Sequence, residues 1–321
     1  MKIHEAYGEI FHYTTASGLL GILASKTLWA VHTSFLNDSE EIVGFFDRVL
    51  PVLLRDPLDE YVKERSTMLI FQQWASVLDD DPQSYIAKRL IQTLKNVLSR
   101  AQDHYVACFC TTSDPWQERN GLLSQWRGYG EDGGYAIVFD SEKLSELLGA
   151  EGGTFPQTGL SWADIEYRMD DESLIVDDDN KSRIRLVKEA VRSLLRDIHI
   201  DEKNSLFTDL PFLASICKHR GFAEEKEVRV VVSEPSQEVR IAQTSTLLLP
   251  GHVVHHFVRN GVLVPCVHLF ATQNLTSLPI KRIIVGPHPE KHSRGKAVES
   301  LLFKHGIGAE VVLSETPFRS K

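Results

Sequence analysis

The 321-residue chain lacks any apolar run that approaches the ~20 residues of a membrane span, and its first residues include no continuous apolar segment that would predict a signal peptide. Cysteine is scarce: four are present, and the pair Cys108-x-Cys110 fits neither a disulfide framework nor a zinc-knuckle spacing. Basic residues are outnumbered, with 35 Lys and Arg against 44 Asp and Glu, which gives a net charge of −9. A protein that binds bulk nucleic acid normally needs a basic face. We therefore expect a cytoplasmic protein with no membrane segment, no metal and no nucleic-acid partner.

The rest of the composition is that of an ordinary globular protein, with 42% hydrophobic and 25% charged residues. Strand-like segments are grouped in both halves of the chain, with helical segments between them, and they do not alternate as βαβ units. This grouping favours an α+β fold over a doubly wound parallel sheet. No internal repeat or low-complexity linker divides the chain. We predict a single α+β domain over residues 1–321.

Several segments have the alternating or continuous apolar pattern of β-strands. They are residues 9–13, 27–31, 105–110, 134–139, 227–232, 240–242, 262–270, 281–285 and 309–313.

A different pattern, with apolar residues three and four positions apart, predicts a helical insertion over residues 39–104. Pro57 and Pro82 are expected to divide it into three helices, and its surface is a candidate site for a protein partner. A later helix is expected to start at Asp209 as its N-cap and to be followed by Gly221 as a left-handed C-cap.

The first candidate site is His12-Tyr13-Thr14-Thr15, at a strand end directly before an apolar helix. A strand-to-helix junction directs side chains and free backbone N–H groups into one concavity, which suits an anionic or ribose-bearing ligand. A structural explanation is also open, in which His12 packs at a strand edge and the threonines cap the helix.

The second candidate site lies in the segment FAEEKEVRVVV, residues 222–232. Alternate residues of a strand share a face, so Glu225, Glu227 and Arg229 would point one way and the valines the other. Two carboxylates ~7 Å apart beside a guanidinium suit chemistry in which positive charge develops on a sugar carbon. The alternative is a half-exposed strand with ion pairs along its ladder.

The third candidate site is the glycine-flanked aromatic loop QWRGYG, in which Trp126 and Tyr129 could stack on a flat ligand. Alternatively, Trp126 anchors the core. A weaker signal, His252-x-x-His255-His256, has spacing that could ligate a metal on a helix, but its neighbours favour a strand and supply no further ligands. The polar segment 286–296 could hold a phosphate, yet it lacks P-loop spacing.

Eight segments in this order resemble a bacterial family known as domain of unknown function 2971. They are FHYTTASGLLGILASKTLWAV, LNDSEE, CFC, QWRGYGEDGGYAIVFD, KHRGFAEEKEVRVVV, NGVLVPCV, IIVGP and LSETPFR. The pattern of that family is in turn similar to the ADP-ribosyltransferase fold. The resemblance implies a split, mainly antiparallel sheet around an NAD cleft, with helical insertions.

The resemblance also implies roles for residues of the first strand and the aromatic loop. His12 matches the histidine that hydrogen-bonds the adenosine ribose in that superfamily. Tyr13 and Thr14 stand where a Gly-Thr pair holds the nicotinamide amide, so the first position departs from the pattern. Tyr129 or Trp126 is the candidate to stack on nicotinamide.

Glu225-Lys226-Glu227 resembles the Glu-x-Glu motif of the same superfamily. Glu227 would then be the catalytic carboxylate because it lies deeper in the strand, with Glu225 assisting and Arg229 among the NAD-binding residues.

Three functions are compatible with these observations. The first is an NAD-consuming enzyme of ADP-ribosyltransferase type, whose acceptor is protein, nucleic acid or water and whose role lies in bacterial defence or as a toxin. The second is a ligand-sensing or protein-interaction module with the same fold and no chemistry. The third, a metal-dependent nuclease or phosphodiesterase, is the weakest, because the sequence has no compact His/Asp cluster.

Overall fold

A computed structural model of the chain describes residues 3–36, 40–129, 133–156, 158–167, 178–196, 205–242 and 251–317. Ten β-strands lie in these residues: β1 Glu9–Thr14, β2 Leu28–His32, β3 Gln102–Cys110, β4 Tyr135–Asp140, β5 Gly159–Asp164, β6 Glu227–Pro235, β7 Val254–Arg259, β8 Val262–Leu269, β9 Ile280–Val285 and β10 Glu310–Leu313. The α-helices are α1 Ile3–Ala6, α2 Ala16–Ser25, α3 Glu40–Gly44, α4 Leu50–Arg65, α5 Leu69–Ala75, α6 Pro82–Ala101, α7 Pro115–Asn120, α8 Leu123–Tyr129, α9 Ser141–Thr154, α10 Asp178–Leu195, α11 Ser205–Ile216, α12 Gln237–Ala242 and α13 Lys291–His305. Short 3-10 helices lie at Thr33–Phe35 and Arg220–Glu225, and a π-helical turn, Phe45–Val49, joins α3 to α4.

All ten strands belong to one sheet, whose longest path runs β10-β9-β4-β1-β3-β2-β8-β7, with β6 and β5 attached to β3. Every pairing between these strands is antiparallel except that of β9 with β10. The fold is therefore mixed α and β with a mainly antiparallel, open sheet, which confirms this part of the prediction.

Strand β3 is where the sheet divides into two branches. One edge of β3 pairs with β6 over its whole length. In the described residues, the other edge pairs with β1 through Cys110, opposite Phe11, and with β2 through Val106 and Tyr105. The β1 branch and the β2 branch thus diverge beside residues 107–109 of β3. We call this opening the fork.

Helices cover both faces of the sheet, and the buried apolar side chains of the described residues form three clusters, the smallest of which contains Trp126 of α8 and Phe11 of β1. On one face, α2, α9 and α13 contribute Ile22, Leu144 and Leu302 to a core that also contains Val228. On the other face, α4, α6, α10 and α11 pack over Val231. The valines of β6 alternate as the sequence predicts, but both faces of this strand are buried. The alternative of a half-exposed strand with ion pairs along its ladder is therefore excluded.

Three local predictions are also wrong. Pro57 lies inside α4 and does not divide two helices, because the buried apolar face through Leu58 holds both halves against the core. Asp209 lies inside α11, where its carboxylate accepts a hydrogen bond from Arg183 at 2.6 Å instead of capping the helix. Residues 240–242, expected as strand, belong to α12.

The stretch from 40 to 101 is helical, as its apolar spacing predicts. Pro82 is the first residue of α6, and the Asp81 side chain accepts a hydrogen bond from Ser84 N. Helix α5 buries none of its residues and exposes Leu69 and Ile70. Within the described ranges, every helix is too short or too polar to span a lipid bilayer.

Candidate functional site

A cavity of about 530 Å³ occupies the fork of the sheet. Its walls come from the end of β1, the start of α2, β2, the exposed edge of β3, α8, the segment that enters β6, and the end of β7. Cavities of about 300–1,000 Å³ are typical of small-molecule and cofactor sites. The fork therefore supplies a pocket of nucleotide size.

The β1 and α2 wall presents hydroxyl groups at a helix start. Thr14, Thr15 and Ser17 all line the cavity. Thr15 is the N-cap of α2, and its side chain accepts a hydrogen bond from Gly18 N at 3.3 Å. The positive end of the helix dipole faces this corner, which favours an anionic ligand group there.

His12 lines the same cavity from β1. Its Nδ1 donates a hydrogen bond to the carbonyl oxygen of Cys108 at 2.9 Å, because a carbonyl can only accept. Burial lowers the pKa of His12, so the ring is neutral at physiological pH. A neutral ring with its proton on Nδ1 keeps Nε2 as a hydrogen-bond acceptor, which matches a donor such as a ribose hydroxyl.

The two glutamates enter the site through a sharp local turn. The 3-10 helix Arg220–Glu225 ends at Lys226, which takes the left-handed conformation with φ 42°. Glu227 then begins β6. Gly221 lies inside the 3-10 helix and its φ is not positive, so the prediction that it caps α11 is wrong. The turn brings Glu225 and Glu227 to the cavity from two different elements, rather than from one strand as predicted.

Arg229 is the centre of a buried charge cluster in the wall of the cavity. Its Nε donates to Glu227 Oε1 at 2.6 Å, and its Nη2 donates to Glu227 Oε2 at 3.2 Å. The same guanidinium contacts Glu41 through Nη1 at 2.8 Å and Nη2 at 3.0 Å. Nη1 also donates to Ser215 O at 2.8 Å. Arg229 is 1% exposed, so the carboxylates are held in a rigid, dry setting.

Lys218 completes this cluster. Its Nζ donates to Glu225 Oε2 at 2.7 Å and to Glu227 Oε2 at 2.9 Å, and lies 3.4 Å from Glu41 Oε1. We call Glu41, Lys218, Glu225, Glu227 and Arg229 the charge cluster. Its three carboxylates and two cations leave a formal charge of −1.

The pKa values of two of the three glutamates, Glu225 and Glu227, are shifted in opposite directions. Burial raises the pKa of Glu227, but Arg229 and Lys218 outweigh it and lower that pKa to about 2. Burial raises the pKa of Glu225, and the negative charge of Glu227 adds to this, while Lys218 acts in the opposite direction. Glu227 is therefore permanently ionised, whereas Glu225 is the carboxyl whose charge depends on its neighbours.

His12 and Glu227 reach the cavity from opposite faces of the sheet. The His12 ring packs near Phe109, with ring centroids 5.7 Å apart, on the face of the first core. Glu227 pairs with Cys110 and shares its face, which is the other one. Both line one cavity because the fork opens the sheet between β1 and β3. A ligand that contacts both residues has to pass through the sheet.

The structure gives the remaining predicted residues different positions. Tyr13 is among the residues that line the cavity, but its side chain is buried and its hydroxyl oxygen accepts a hydrogen bond from Leu122 N at 2.7 Å. Trp126 is 1% exposed and donates from Nε1 to Asn120 O at 2.9 Å, so its indole is a core anchor and does not line the cavity. The backbone of Tyr129 ends α8, and its side chain lies outside the described residues.

The aromatic wall of the cavity comes from residues that the sequence analysis did not select. Trp29 and Phe257 both line the cavity, with ring centroids 5.4 Å apart. The indole stacks on His268 at 5.1 Å with an interplanar angle of 6° and donates from Nε1 to Ser25 Oγ at 3.3 Å. A Cβ at Gly21 would come within 2.3 Å of this indole, so glycine permits the close packing.

Sequence reasoning also missed Glu41 and Lys218. Glu41 ends the LNDSEE segment and Lys218 begins KHRGFAEEKEVRVVV, two of the segments that carry the family resemblance. A single Glu or Lys in a polar segment of the sequence gives no indication that its side chain is buried. Only the pairing with Arg229 explains why both are less than 10% exposed.

The other polar features of the sequence have structural partners. His252 lies buried between two carboxylates, with Nδ1 2.6 Å from Glu234 Oε1 and Nε2 2.9 Å from Glu151 Oε1. His255 stacks on His268. In the part of the chain that the structure describes, no group of three or more His, Cys, Asp or Glu side chains is arranged to hold a metal ion.

A second, more open cavity of about 970 Å³ adjoins the first. The two cavities share Phe11 and Glu227 in their linings. Hydroxyl groups of Tyr7, Thr112 and Ser113 are among the lining of the second cavity. Glu227 therefore lies between the nucleotide-sized pocket in the fork and a larger, more open cavity.

A family model described as "Protein of unknown function (DUF2971)" matches residues 125–230, about a third of the chain. This match supports the resemblance over these residues, which include Lys218, Glu225, Glu227 and Arg229 but not His12. No curated protein and no solved structure matches the chain.

Proposed function

We propose that this protein is an NAD-consuming enzyme of the ADP-ribosyltransferase type, which cleaves the bond between nicotinamide and ribose and transfers ADP-ribose to an acceptor. The observation that carries the proposal is the cavity in the fork. Residues far apart in the chain, among them His12, Thr14, Glu225 and Glu227, line this one pocket. Convergence of polar groups on a pocket of this size is characteristic of a ligand site.

The cavity offers complementary groups for a ribose, the diphosphate and one planar ring of NAD. His12 Nε2 accepts a hydrogen bond from a ribose hydroxyl. The N-terminus of α2 at Thr15 and the Arg259 guanidinium on the cavity wall suit the diphosphate. The aromatic wall of Trp29 and Phe257 suits a planar ring, a role that the sequence analysis gave to Trp126 or Tyr129.

The carboxylates supply the chemistry. When the C–N bond breaks, nicotinamide leaves with the bonding electrons and positive charge develops on the ribose carbon. A fixed carboxylate lowers the free energy of that transition state more than that of bound NAD. Glu227 is ionised at every physiological pH but is paired with Arg229, so we assign contact with the ribose to Glu225 and Glu227 together. The acceptor, or water, enters through the second cavity beside Glu227.

A second candidate function is a ligand-sensing module that binds NAD and does not cleave it. The observation in its favour is that Glu227 already accepts hydrogen bonds from both Arg229 and Lys218. A carboxylate with these two cations has little negative charge left to stabilise a cationic ribose.

One experiment separates the two functions. The purified chain is incubated with NAD, nicotinamide release is followed by chromatography, and binding is measured by calorimetry. We expect Glu225→Gln and Glu227→Gln to keep NAD affinity and to lower kcat by about 10²–10³-fold. Glu224→Gln is the matched control, because Glu224 is exposed and lies outside the cavity lining. Binding without nicotinamide release supports the sensing module, and the absence of both contradicts an NAD site.

A further inference from the structure

Lys218 occupies an unusual position for a lysine. It follows α11, and its backbone N–H donates to Glu166 O at 2.9 Å, which fixes the start of the side chain. The residue is 7% exposed, and its Nζ lies 4.9 Å from the centre of the Phe222 ring. Lysine is rarely buried to this extent unless its charge is paired. Here three carboxylates share the one ammonium group.

The cations of the charge cluster are divided unequally between the carboxylates. Arg229 contacts Glu227 and Glu41 and makes no described contact with Glu225. Lys218 is the one cation that forms an ion pair with Glu225 in the described part of the chain. The Glu225 carboxyl is also near Gln125, from α8, and the negative charge of Glu227. The thiol of Cys110 and the hydroxyl of Tyr167 lie close enough for the charge of Glu225 to raise their pKa values.

We propose that Lys218 is a positioning residue that keeps Glu225 ionised and directs its carboxylate into the cavity. This inference rests on the proposed function for its catalytic consequence, but not for its effect on Glu225 itself. Without the ammonium, Glu225 faces Glu227 across a buried site, and Arg229 is already occupied by two carboxylates. The carboxyl then takes up a proton and loses the charge that a developing ribose cation requires.

The first test needs no ligand. The carboxyl carbons of the full chain, labelled with ¹³C-glutamate, are titrated by NMR, and Glu225→Gln assigns the Glu225 signal. We expect Lys218→Met to move the titration of Glu225 to higher pH, and Lys218→Arg to restore it towards that of the natural protein. An unchanged titration in Lys218→Met would overturn the proposal.

The second test is the pH profile of nicotinamide release. We expect Lys218→Met to lower kcat about tenfold or more near pH 6 but only about twofold near pH 9, where Glu225 ionises again. A purely structural role would lower kcat equally at each pH, and that result contradicts the proposal. A shifted NMR titration with no nicotinamide release in the natural protein would refute the proposed function alone.

Lys218→Met could fail to fold because it removes a buried cation. The double variant Lys218→Gln with Glu41→Gln removes one charge of each sign and keeps the cluster at −1. We expect the Glu225 titration to move to higher pH in this variant as well. If Glu225 of the double variant titrates at the same pH as in the natural protein, the positioning role is also contradicted.

Discussion

Replacing Arg229 by Met tests whether the charge cluster has the energetics that its geometry implies. The guanidinium makes two contacts with Glu227, two with Glu41 and one with Ser215 O. Methionine fills a similar volume and leaves the three carboxylates of the cluster with Lys218 as their only cation in it. Removal of one partner from a buried ion pair typically costs about 3–5 kcal/mol. Since domains are stable by only about 5–15 kcal/mol, this loss is large.

The assay is urea-induced unfolding near pH 7, followed by tryptophan fluorescence and circular dichroism on the full chain. Arg229→Lys is the control that keeps the charge and loses the two-pronged geometry, so an intermediate loss is expected. The double variant Arg229→Met with Glu227→Gln removes charges of both signs. We expect it to be more stable than the sum of the two single changes by about 1–3 kcal/mol.

Two results would refute this reasoning. A loss of less than about 1 kcal/mol in Arg229→Met would place the pair in the range of exposed surface ion pairs. Strict additivity in the double variant would show that Arg229 and Glu227 do not depend on each other. In either case the burial of the cluster would have no energetic consequence, and the carboxylates would not be rigidly held.

Three further predictions follow from other parts of the fold. Burial lowers the pKa of His252, but its hydrogen bonds to Glu151 and Glu234 outweigh this and raise that pKa. The stabilisation from this pairing is complete below about pH 6.5 and is lost as pH rises through the raised pKa, so His252→Gln should flatten the alkaline decline of stability measured by thermal unfolding. The pKa of Glu227, lowered to about 2, gives stability that is present above about pH 4.5 and is lost as pH falls towards 2. Glu227→Gln should therefore reduce the decline of thermal stability between these two pH values in the same assay. Gly21→Ala should destabilise the chain and shift the fluorescence of Trp29, because the new Cβ collides with the indole. Gly149→Ala, in α9 with open space around it, should instead stabilise the chain by about 0.5–1 kcal/mol. A Gly21→Ala variant more stable than Gly149→Ala would contradict the packing.

Local sequence patterns predicted eight of the ten described strands but neither β5 nor β7, and the capping of α2 by Thr15 was one of the two open explanations for the first candidate site. Alternation and capping could be predicted because they depend on neighbours in the chain. The local patterns also indicated that Glu227 and Arg229 share a face. They could not show that Arg229 faces inward to Glu41, since burial of a charge depends on a partner 188 residues away. For the same reason Trp29 was missed, because its place on the cavity wall depends on β7 and not on its own neighbours.

The fork has a consequence for how the protein moves. Beside residues 107–109 of β3, no described strand completes the ladder on the cavity side. The amides on that edge should exchange with solvent deuterium faster than those that face β6, although they lie in the middle of the sheet. A molecule that fills the fork would bridge the β1 and β2 branches and slow this exchange. Deuterium uptake at the centre of the sheet, not at its periphery, would then report occupancy of the site even for a ligand that the protein never transforms.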